Sequence, residues 1–112
     1  MTLVEEYLRQ AADMFNKKAE EDPKLRAELQ GIKRTVEIDV TDGDSWIFVL
    51  DNCRVDGIQK GKFDNPDIRV AASKETFDQL RTGELRPMKA LALKKLKVNA
   101  KLEDMLRLRK FF

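Results

Sequence analysis

The chain has 112 residues, 42% of them hydrophobic and 38% charged, with a net charge of +2, which fits one ionised globular domain with a core of its own and argues against a disordered chain. Cys53 is the only cysteine and histidine is absent; an internal disulfide is therefore excluded, as are imidazole general bases, Ser-His-Asp or Cys-His arrangements and histidine-based metal sites. The longest apolar run is Trp46 to Leu50, far below the roughly 20 residues of a membrane-spanning helix, and with no basic-then-apolar leader the expected location is the cytoplasm.

Thr2 and Glu5 form a capping-box pattern that starts a helix, and Val4, Leu8, Ala11, Ala12, Phe15 and Ala19 recur at helical spacing as its inner stripe. Asp22-Pro23 opens a second, short helix that ends at Gln30 before Gly31. From Thr35 the period becomes two: Val36, Ile38 and Val40 share one face, and Glu37 and Asp39 are expected on a wet one. Asp42-Gly43-Asp44 supplies a turn. Trp46 to Leu50 has no alternation, which predicts a strand covered on both sides. Asp51-Asn52 turns the chain into a weaker strand over 54–60, with a bulge at Gly57. Ile68, Val70 and Ala72 alternate as a fourth strand, and the simplest arrangement of these four is an antiparallel meander. Ser73 caps a helix through Phe77 and Leu80 that stops at Gly83. Met88 to Leu93 is compact and apolar, Leu96 and Val98 alternate with Lys95 and Lys97 as a fifth strand with a basic outer face, and Leu102, Met105, Leu106, Arg109 and Phe112 trace the expected inner stripe of a last helix.

Several features look chemical and are not. Asp39, Asp42 and Asp44 imitate a calcium loop, but the position that must supply a bidentate glutamate is Leu50. Gly57 and Gly61 do not lead a strand into a helix, so they are no phosphate-binding fingerprint. Cys53 reads as a small apolar residue beside a turn. Charge is uneven: residues 81–112 hold 10 basic and 3 acidic side chains, against 12 and 17 in residues 1–80. Such a basic third suits an anionic surface or a solvated helix face.

The ordered series Phe77, Leu80, Gly83, Leu85, Pro87, Ala90, Lys95, Leu96, Lys97, preceded by Trp46 and by Pro66-Asp67-Ile68-Arg69-Val70, resembles the sterol carrier protein 2 family over about residues 36–110. The resemblance implies one α+β domain over 1–112, with N-terminal helices in 2–30 and, in 35–112, a five-stranded, mostly antiparallel sheet covered by helices. It further implies non-catalytic binding, and with it transfer, of a sterol, fatty acyl chain or phospholipid in an internal apolar tunnel, without a cofactor or metal. The expected wall is Trp46, Phe48, Phe77, Leu80, Leu91, Leu102, Met105 and Leu106, each of which could equally be ordinary core. Lys94, Lys101, Arg107 and Lys110 are the expected contacts to an anionic membrane surface. Nucleic acid is not an expected partner, since no aromatic residues are interleaved with these charges. The alternative is the same fold filled solid, serving as an accessory or dimerisation module, with a homodimer left open. Lys94 and Ala100 stand where relatives commonly have glycine, so a more regular backbone is expected there. The ending Lys110-Phe111-Phe112 is not a peroxisomal address.

Overall fold

The computed structural model describes residues 3–109, with side chains from Val4 to Arg107; the capping residue Thr2, the side chain of Arg109, and Lys110 and Phe112 lie outside the described part. In chain order the elements are α1 (Leu3–Glu21), α2 (Pro23–Leu29), β1 (Lys33–Val40), β2 (Ser45–Asp51), β3 (Arg54–Lys60), β4 (Ile68–Ala72), α3 (Lys74–Thr82), α4 (Pro87–Ala92), β5 (Lys97–Asn99) and α5 (Leu102–Arg109). Local chemistry sets many of these boundaries. The Asp22 carboxylate accepts from the amides of Lys24 and Leu25, Ser73 Oγ accepts from the Thr76 amide, and Gly83 ends α3 at φ 82°, the left-handed cap that glycine adopts without a steric cost.

The sheet order is β3-β2-β1-β4-β5. The expected meander holds through β3 but not beyond it: β4 crosses to the far side of β1 and pairs with it in parallel, Val36 opposite Ile68 and Val40 opposite Ala72. This sets the apolar rows Val36, Ile38, Val40 and Ile68, Val70, Ala72 side by side on one face. Asp67 fixes the register, accepting the Thr35 amide at 2.8 Å while its own amide donates to Thr35 Oγ1 at 2.9 Å. That backbone hydrogen bond is the main reason the Asp67 carboxyl titrates below its ordinary value. The bulge falls at Gly57, whose φ is 72°, where the β2–β3 register shifts between Ile47 and Val49.

Helices cover the inner face. Val4 and Leu8 of α1, Phe77 of α3 and Ala90 of α4 are buried against Val36, Ile38, Val40, Trp46 and Ile68, and Tyr7 and Phe77 stack at a tilt with ring centroids 6.3 Å apart. Ala19, Leu25 and Leu29 close a smaller cluster over Leu50 and Cys53. Asn16 secures α1 to the edge strand: its amide donates to the Val55 carbonyl at 2.9 Å and accepts the Val55 amide at 2.8 Å, as a neighbouring strand would.

On the outer face Glu37 departs from expectation, being 1% exposed. The loop 61–67 folds over it, so the Phe63 amide donates to Glu37 Oε1 at 2.7 Å, and Arg69 Nε lies 3.3 Å from Glu37 and 3.4 Å from Asp39. Neither arginine contact has hydrogen-bond geometry, so the guanidinium holds this acid pair by charge rather than by direction. The same loop gives β2 its second cover only in part: Ile47 and Val49, opposite Glu37 and Thr35 on the outer face, are half-buried, with Gly61 against Ile47.

Two further expectations change. Lys94 takes the left-handed conformation, φ 61°, so the backbone keeps a glycine-like turn without the glycine; Ala100 has an ordinary φ and packs on the core. The last helix also docks by its other side, as described next.

Candidate ligand-binding site

The eight residues expected to wall a tunnel fall into three groups. Trp46 and Phe77 are buried in the core. Phe48, Leu80 and Leu91 are half-buried and packed against it. Leu102, Met105 and Leu106 are 74%, 39% and 50% exposed and point away from the body. At about 100° per residue these three fall on one side of α5 and Asp104 on the opposite side. Asp104 is the residue that is buried, 3% exposed. Its two carboxylate oxygens accept from Arg34 Nε at 3.1 and 2.9 Å, and Arg107 Nη1 adds a contact at 2.9 Å. Arg34 Nη2 reaches Glu103 at 3.2 Å. The hydrogen bond to Asp104 is the main reason the Arg34 guanidinium holds its proton more tightly than usual. An eight-residue helix has room for one docking face, and here the carboxylate beside Arg34 takes it.

Of the expected membrane-facing cations, Lys94 and Lys101 are exposed, Arg107 is engaged by Asp104, and Lys110 lies outside the described residues.

A cleft of about 500 Å³ opens between the start of α1, the β1–β2 turn and the start of α3, within the range of about 300–1,000 Å³ typical of small-molecule sites. Its floor is apolar, made by the core residues Val4, Val40 and Trp46, and its rim is charged, with Asp44, Lys74 and Asp78. Gly43 packs the turn closely: a Cβ there would stand 2.7 Å from Lys74 Cε, which a mobile lysine can relieve, and 3.2 Å from Val40 Cγ1, which would have to give by a few tenths of an ångström. Lys60 lies 5.8 Å from the Trp46 ring centroid and pairs with Asp44 at 3.3 Å. Trp46 is thus the one expected wall residue that reaches this cleft. Val4 and Val40 read in the sequence only as core, and the Asp-Gly-Asp turn only as a turn; an apolar strand end next to a glycine turn was the available signal.

A second cleft, of about 330 Å³, flanks α3 on its other side and is lined by Thr41, Ala71, Gln79, Lys95 and Lys97. Glu75 lines both clefts. Among the described residues no group of three or more acidic, cysteine or histidine side chains is arranged to hold a metal, and no helix is long and apolar enough to cross a membrane.

Helices layered over one face of a five-stranded mixed sheet define a small α+β domain, here with an open cleft floored by core residues. The pattern of the SCP-2 sterol transfer family matches residues 15–112, and the chain belongs to that family. Solved structures agree in fold. Sterol carrier protein 2 from Aedes aegypti in complex with palmitate superposes with a TM-score of 0.62 at 19% identity, covering 99% of this chain and 96% of that one. Sterol carrier protein domain 2 of Helicoverpa armigera gives 0.62 at 18% identity, covering 94% and 84%. An inverting sec-alkylsulfatase from Pseudomonas sp. gives 0.55 at 18% identity; the match takes in 73% of this chain but spans only 13% of the enzyme. No curated protein sequence matches significantly.

Proposed function

We propose that this protein binds an elongated apolar ligand, a fatty acyl chain or a comparable lipid, without transforming it. The observation that carries the reading is the cleft floored by Val4, Val40 and Trp46, which gives a family member a route from solvent onto core side chains. Burying apolar carbon is worth about 0.8 kcal/mol per methylene, so such a floor binds by shape and length with little polar recognition. The Aedes aegypti relative is a palmitate complex, which supports the ligand class, and the absence of histidine from the sequence supports binding rather than catalysis. Exposed Lys94 and Lys101 support exchange at anionic membrane surfaces, where each nearby cation contributes about 1 kcal/mol at low salt.

Trp46 is the only tryptophan and reports on the cleft directly. Palmitate titrated into delipidated protein should shift Trp46 emission saturably, and native mass spectrometry of the same sample should show a one-to-one lipid adduct. A folded protein that shows neither is the alternative, a filled accessory module, which the near-complete burial of both Trp46 and Phe77 favours.

A further inference from the structure

The strand expected to include Lys95 and Leu96 begins only at Lys97, and the two lysines at its entry find no role in burying an apolar chain. Lys97 opens β5 and Lys95 lies in the bend just before it, on either side of the buried Leu96, and both line the 330 Å³ cleft with the half-buried Gln79 and with Thr41. Among the described residues neither ammonium has a carboxylate partner, and the one acid lining the cleft is Glu75, so the lining carries one net positive charge. The Thr76 hydroxyl, also at this cleft, accepts from Ser73 Oγ at 3.1 Å. The two clefts are neighbours: Val40 lines one and Thr41 the other, and Glu75 lines both.

We propose that the cleft at Lys95 and Lys97 takes the oxyanion head, carboxylate or phosphate, of an amphiphile whose apolar part lies on Val4, Val40 and Trp46 in the neighbouring cleft. This rests on the lipid-binding reading and sharpens it: apolar burial gives affinity, and the two lysines select anionic over neutral lipids. An ionised head gains charge-assisted hydrogen bonds there that an ester cannot make.

The test compares palmitate with methyl palmitate, both below the concentration at which they self-associate, by Trp46 emission. Wild type should prefer the acid by about tenfold, the size of one charge-assisted hydrogen bond. Lys95→Gln combined with Lys97→Gln should abolish that preference and leave methyl palmitate binding unchanged, and Glu75→Gln should widen the preference. If wild type and the double variant discriminate equally while both bind methyl palmitate, this proposal is overturned and the lipid reading survives. If folded wild type binds neither compound, both fall. Inorganic phosphate alone separates the sources of the oxyanion: no change in the Gln79 and Lys97 amide signals supports an amphiphile head, whereas shifts matching those caused by palmitate assign the cleft to a free anion and overturn the proposal.

Discussion

α3 and α5 are close in length, nine and eight residues, and both carry an apolar stripe at helical spacing, yet they are attached by opposite chemistry. α3 is capped at both ends by Ser73 and Gly83 and buries Phe77 in the main core. α5 buries Asp104 against Arg34 and turns Leu102, Met105 and Leu106 outward, and none of its described side chains belongs to either buried cluster. Periodicity identifies a stripe; it does not say which side of the helix meets the body when the competing side carries a carboxylate within reach of a guanidinium.

The contrast is testable at both ends. Phe77→Ala should cost about 3–5 kcal/mol, the usual consequence of truncating a buried aromatic, whereas Leu106→Ala should stay within about 0.5 kcal/mol, as expected for an exposed side chain. Urea denaturation measures both, and comparable losses at the two sites would mean that α5 is packed by its leucines after all.

The same contrast marks what the sequence could disclose. Asp22-Pro23, Ser73, Gly83 and the alternation of Val36, Ile38 and Val40 act within a few residues of themselves, so helix ends and strand faces are legible from local chemistry. The side of β1 that β4 joins is not, because Ile68-Val70-Ala72 would alternate identically in a hairpin or after a crossover. Burial of Glu37 depends on a loop more than twenty residues downstream. The candidate cleft shares this character: Val4, Val40 and Lys74 are distant in sequence and meet only once α1 and α3 have packed.

Ion-pair attachment of α5 yields a second, smaller effect. Asp104→Ala leaves the Arg34 guanidinium without its main partner and should cost about 2 kcal/mol, within the range for hydrogen bonds to charged groups. Because α5 can detach without opening the core, amide hydrogen exchange should accelerate in α5 well before it does in α3. Equal acceleration in both helices would show that α5 belongs to the same cooperative unit.

The smallest effect lies between the two helices, at the turn that leads into β5. Lys94→Gly should stabilise the protein by about 1 kcal/mol, since φ 61° penalises any side chain with a Cβ. Lys94→Ala should be neutral, which separates backbone strain from loss of the lysine charge; a destabilising Lys94→Gly would mean that the side chain itself is needed.

The parallel pairing of β1 with β4 has a consequence for how the molecule comes together. β1, β2 and β3 are joined by tight turns and can zip as they leave the ribosome, but Val36 meets Ile68 only after the whole hairpin and the loop 61–67 have been made. Closing that long segment carries an entropic cost before the contact returns anything. Until then the far edge of β1 stands open, with its amides and carbonyls free to pair with another chain. Any chain whose β1–β3 pair before β4 docks would carry its most apolar strands with one edge unguarded, and β4 is the segment that covers it.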